Sequence, residues 1–208
     1  SYESDRENHH LDYAIRLQHS FNSIDLGLSY FDGTAREPTL QFDNNTMQLT
    51  PYYPQMKQVG LEFLYIASDW LWKLENKYVT SEEKEYNAAV GGVEYTMYRW
   101  WGTGVDLGLF IEMHYDSRGE VVEAPFQNDA FIGLRFNFNN IYDTELMFTN
   151  YTDLDNQSKL YGIEFSSRFG DRFKIIAEML VLSDADELDT FYEIRQDDYV
   201  ELGINVYF

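Results

Sequence analysis

The 208-residue chain contains no cysteine, only four prolines and few basic residues. Without cysteine there is no disulfide framework, no redox thiol and no Cys-ligated metal. Fifteen Lys and Arg stand against 36 Asp and Glu, a formal net charge of -21. No basic patch is available to replace the counterions of a phosphate backbone, so a nucleic-acid partner is excluded. Long hydrophobic runs are also missing. No segment approaches the roughly 18 consecutive apolar residues that a spanning helix requires.

Aromatic residues are abundant instead: 17 Tyr, 15 Phe and 4 Trp. Such side chains suit a pleated surface. Mean hydropathy is -0.45, which does not exclude a membrane strand protein, because lipid-facing and lumen-facing residues alternate and average out. The alternation is clearest at the C-terminus. In Tyr199–Phe208 one face carries Val200, Leu202, Ile204, Val206 and Phe208, and the other Tyr199, Glu201, Gly203, Asn205 and Tyr207. Strict period two marks a strand with one face in an apolar medium. At a rise of about 3.3 Å per residue and a tilt of roughly 45°, such a strand crosses an outer-membrane-type apolar band.

The pattern recurs upstream. Residues 104–115 set Val105, Leu107, Leu109, Ile111 and Met113 against Asp106, Gly108, Phe110, Glu112 and His114. Residues 129–138 set Ala130, Ile132, Leu134, Phe136 and Phe138 against Asp129, Phe131, Gly133, Arg135 and Asn137. Residues 171–181 set Phe173, Ile175, Ala177, Met179 and Val181 against Arg172, Lys174, Ile176, Glu178 and Leu180. Further strands are predicted over 11–20, 23–31, 57–66, 69–78, 87–98, 142–151 and 159–168, about eleven in all. Thr39–Thr50 reads as a hairpin inside a long connection.

A soluble β-sandwich alternates too. Three features favour an all-β antiparallel transmembrane barrel, read as one domain over 1–208. Charges gather on one face of the strands, namely Arg16, Glu62, Lys73, Glu75, Glu94, Asp106, Glu112, Arg135, Glu164, Arg172, Glu178 and Glu201; these are the expected lumen-lining residues. Short turns (Phe21–Ser23, Ser68–Asp69, Gly102–Thr103, Asn139–Asn140, Gly170–Asp171) alternate with longer connections, as in barrels with short periplasmic turns and longer outer loops. Pro38, Pro51, Pro54 and Pro125 all fall in two of the long segments, where a missing N–H harms no ladder. Trp70, Trp72, Trp100 and Trp101 lie beside short turns, where an interfacial girdle places its aromatic rings.

The final strand, with Phe208 last and apolar residues at every second position before it, resembles the C-terminal signature of Gram-negative outer-membrane barrels. Asp25–Pro38 is similar to a proteobacterial outer-membrane family. The resemblance implies an integral outer-membrane location and contact with lipid and lipopolysaccharide. It also implies that the barrel-assembly machinery reads Val200, Leu202, Ile204, Val206 and Phe208. It implies no catalytic residue. No signal peptide is read at Ser1, so a mature or trimmed product is expected. Single-chain bacterial barrels normally have an even strand number. An odd eleven therefore means either that one strand is misassigned or that further strands lie on the N-terminal side; the second is favoured and gives an even total of twelve or more.

For chemistry, His114 near Glu112, Asp116 and Ser117 invites a hydrolase reading, but sequence spacing supplies no triad geometry. A lumen or rim histidine is favoured, and the chain is read as a non-enzyme without a cofactor. The acidic segment holding Asp184, Asp186 and Asp189 carries a candidate Ca²⁺ site in an outer loop. It lacks the glycine turn and terminal Glu of an EF-hand. A solvated loop is the plainer reading. The functional expectation is a passive, porin-like channel for small solutes. Its alternative is a structural barrel with a closed lumen that anchors a protein partner.

Overall fold

Period-two sequence becomes a single dominant sheet. In a computed structural model the described residues are 9–43, 47–81, 84–119, 126–185, 187 and 191–208. They form thirteen strands: β1 (Tyr13–Phe21), β2 (Ile24–Thr34), β3 (Thr39–Asp43), β4 (Gln48–Tyr52), β5 (Gln55–Ala67), β6 (Trp70–Ser81), β7 (Glu85–Met97), β8 (Asp106–Asp116), β9 (Asn128–Asn137), β10 (Glu145–Asp153), β11 (Lys159–Phe169), β12 (Phe173–Ser183) and β13 (Tyr199–Val206). Eleven join one antiparallel sheet in the order β1-β2-β5-β6-β7-β8-β9-β10-β11-β12-β13. The expected eleven strands are all present, with ends shifted by a few residues. The remaining two, β3 and β4, pair as the expected hairpin. Pro51 sits in β4 opposite Leu40, outside the large sheet.

The sheet ends at β1 and β13, each with one neighbour. Among the described residues no ladder closes it into a barrel. The chain divides into two compact units. One is Ser1–Leu64 with Leu74–Ala89, and the other is Tyr65–Lys73 with Val90–Phe208.

Local chemistry explains the turns. Asn22, Asn139 and Gly170 adopt φ of 51°, 48° and 63°, the left-handed region that Asn and Gly enter at least cost. Between β7 and β8 the chain makes a tight turn at Trp100–Gly102, with Trp101 in the left-handed region at φ 52°. The Asp106 carboxylate ties this turn down by accepting the Arg99 N–H at 2.8 Å. Trp100 and Trp101 stack there, and Trp70 stacks on Trp72 and Tyr95 beside the Ser68–Asp69 turn.

In the second unit the register sorts side chains by chemistry. One row across six strands runs Leu109, Leu134, Phe148, Ile163, Met179 and Val200. Its companion two residues along runs Leu107, Phe136, Leu146, Phe165, Ala177 and Leu202. Both are wholly apolar. One residue over, on the opposite face, the row reads Gly108, Arg135, Met147, Glu164, Glu178 and Glu201. A one-residue slip would exchange these faces, so the register is strongly specified wherever the two faces meet different media.

Few apolar residues are enclosed. Among the described residues the buried hydrophobics are Val79, Leu107 and Phe131. Leu107 belongs to the face expected to point outward. Its ladder partner is Phe136, against which Trp100 packs edge-on at 5.8 Å. By contrast Val200, Leu202 and Ile204 are 70%, 77% and 68% exposed. A sandwich stabilised by burying one face of each sheet would enclose such residues.

Candidate functional site

The charged face holds the groups that sequence singled out, and each unit assembles its own ion pairs. In the first unit Arg16 on β1 donates to Glu62 on β5. Asp12 receives the Thr34 N–H at 3.0 Å and faces the Arg36 guanidinium at 2.8 Å. In the second unit Lys73 on β6 sits between two carboxylates, 2.6 Å from Glu94 Oε1 on β7 and 2.8 Å from Glu112 Oε1 on β8. These three side chains are only partly exposed, at 34%, 26% and 22%, so their pairing is screened less than that of a surface pair.

Toward the C-terminal end of β8 an aromatic group surrounds His114. Phe126 and Tyr151 stack at 4.7 Å, His114 lies 5.4 Å from Phe126, and Phe131 packs on Tyr151 at 4.6 Å. The nearest acid to His114 Nε2 is Glu112, at 3.8 Å. Asp116 is committed elsewhere, accepting from Arg118 Nε at 2.9 Å and from its backbone N–H at 3.0 Å. Among the described residues His114 Nε2 has no hydrogen-bond partner, and no hydrogen-bonded Ser–His–acid chain forms from it.

The carboxylates of β11, β12 and β13 are brought into line. Glu164 lies opposite Glu178, and Glu178 opposite Glu201. Tyr199 donates its hydroxyl to Glu178. A cavity of about 270 Å³ beside them is lined by Glu145, Glu164, Glu178 and Lys174 among others. Like charges directly opposite each other destabilise a sheet unless solvent screens them.

Several expected residues are placed differently from this group. Arg135 holds its guanidinium 4.8 Å over the Phe110 ring, and among the described residues it forms no ion pair. Asp106 is spent on the turn at Arg99. Arg172 falls in the turn before β12, not within that strand. Glu75 lies exposed on β6. Of the loop acids, Asp186 and Asp189 are outside the described residues. Asp184 lies just after β12; the Ser183 hydroxyl and the Lys159 ammonium hold its carboxyl below the ordinary carboxylate range. No cluster of three metal-ligating side chains occurs among the described residues. Two residues that spacing did not single out are Gly27 and Gly92, which lie beneath Glu62 and Glu112. The available signal was a glycine on the charged face of a long strand.

No protein-family model matches the chain, and neither a curated protein nor a solved structure does.

Proposed function

We propose that the protein is an integral outer-membrane β-barrel that works as a passive, weakly cation-preferring channel for small solutes. The observation that carries this reading is the pair of adjacent rows in the second unit. One presents six apolar side chains, and the next presents Arg135, Glu164, Glu178 and Glu201. Phe148, Met179 and Val200 of that row are exposed, and exposed apolar side chains gathered on one face favour lipid. The opposed carboxylates favour water, since they need solvent screening. A strand with lipid on one side and water on the other is what a membrane barrel provides. The barrel then closes through a ladder beyond the described sheet. The excess of acid over base in the lining gives the cation preference.

Single-channel recording in planar bilayers tests the reading. Discrete conductance steps are expected, with a reversal potential in a KCl gradient that favours the cation. A folded, full-length protein without any open state rejects the channel and selects the structural barrel that holds a partner.

The C-terminal segment allows a second check. Phe208 is fully exposed, so its loss removes little packing from the folded protein. As an element read during assembly, it matters earlier. Deleting Phe208 is expected to reduce the amount assembled in cells while leaving the unfolding midpoint of purified protein nearly unchanged. Normal membrane yield would remove the assembly role.

A further inference from the structure

Among the described residues, two ion pairs on the charged face cross a strand, and each lies over a glycine in that strand. Arg16 is on β1 and Glu62 on β5, with β2 between them. Lys73 is on β6 and Glu112 on β8, with β7 between them. Neighbouring strands lie about 4.7–4.9 Å apart, so each pair spans two such steps. Side chains that stand upright on the sheet do not meet over that distance; one of them must lie down across the intervening strand. That posture needs a position without a Cβ.

Gly27 on β2 supplies it for the first pair. A Cβ there would lie 3.1 Å from Glu62 Oε2, 3.2 Å from Glu62 Cβ and 3.4 Å from Glu62 Cδ. Gly92 on β7 supplies it for the second, where a Cβ would lie 2.6 Å from Glu112 Cγ and 2.7 Å from the Ile111 carbonyl oxygen. The same arrangement therefore occurs once in each unit. Gly33 also lies against a carboxylate, that of Asp12, but Asp12 pairs with Arg36 without crossing a strand; Gly60 faces the Ser29 hydroxyl and Gly162 the Thr149 hydroxyl.

We infer that Gly27 and Gly92 are positioning residues, saddles that hold Glu62 and Glu112 flat against the wall and so keep the conduction path clear. The inference rests on the channel reading. A carboxylate seated on its saddle is neutralised by the cation beyond it and occupies no lumen. Lifted off, it projects into the water path and loses its partner.

Gly27→Ala is the cleaner test, because the nearest atoms to its new methyl all belong to the Glu62 side chain. The measurement is single-channel conductance of the folded full chain in 1 M KCl, where a Debye length of about 3 Å suppresses charge effects and leaves width. Gly27→Ala is expected to conduct less than wild type, and Gly27→Ala/Glu62→Ala to recover. Should Gly27→Ala not fold, Arg16→Met releases Glu62 from the other side. Its conductance is expected to fall and to recover on adding Glu62→Ala. A single variant with wild-type conductance overturns the inference, and so does a fall that removing Glu62 does not reverse. A wild type without conductance overturns the channel reading, and the inference with it.

Discussion

Arginine at Leu134 is expected to lower the folding free energy in lipid bilayers by about 2–4 kcal/mol if the residue lies near the midplane. Leu134 occupies the interior of β9, with Leu109 and Phe148 as its ladder partners on either side. The apolar row continues through Ile163, Met179 and Val200. A guanidinium in that row has no carboxylate on its own face at the same level. If the row faces lipid, as proposed, it must snorkel toward a headgroup or draw water into the apolar band, and both cost free energy. Met147→Arg is the matched control. Met147 lies in the neighbouring row, opposite Arg135 and Glu164, where Glu164 can answer the new charge and water can solvate it. Reversible unfolding from vesicles should show a large loss for Leu134→Arg and a small one for Met147→Arg. Equal losses, or the reverse order, would mean that the apolar rows do not face lipid.

The contrast between these two positions also shows how far the sequence was legible. Because side chains alternate with a period of two, Leu134 and Arg135 had to face opposite ways once the strand was recognised. The number of strands in the large sheet and the β3–β4 hairpin followed from the same alternation and from turn residues such as Asn22 and Gly170. Strand ends were less legible, as at Arg172, because a turn can take one more residue at little energetic difference.

What alternation leaves open is register and reach. Nothing in the spacing of Glu164, Glu178 and Glu201 says that they stand at one level, since the ladder depends on how many residues each turn consumes. The partnership of Lys73 with Glu112 was hidden for a further reason, because it skips a strand and needs Gly92 in between. Closure is not a local property either. The alternation that marks each strand is the same whether or not the sheet closes, and the sheet ends at β1 and β13.

Lys73 gives the second large effect. Its ammonium is shared by Glu94 at 2.6 Å and Glu112 at 2.8 Å, so Lys73→Met removes two charge-assisted hydrogen bonds at once. It also leaves two partly buried carboxylates facing each other without a counter-charge. A hydrogen bond to a charged group contributes about 1.5–3 kcal/mol when well shielded. With the lysine side chain one-third exposed, solvent screening reduces this, and a net loss of about 1–3 kcal/mol is expected for the pair together. The second half of the argument separates pairing from packing. Methionine keeps most of the apolar stem, so the loss measures charge more than volume. Replacing Glu94 and Glu112 by Gln in the Lys73→Met background removes the stranded charges and should restore most of the stability, although either Gln substitution alone in wild type weakens it. Such a sign reversal between backgrounds is the signature of an interacting set. If the Gln substitutions cost the same with and without Lys73, the three residues are independent and the observed contacts contribute nothing measurable.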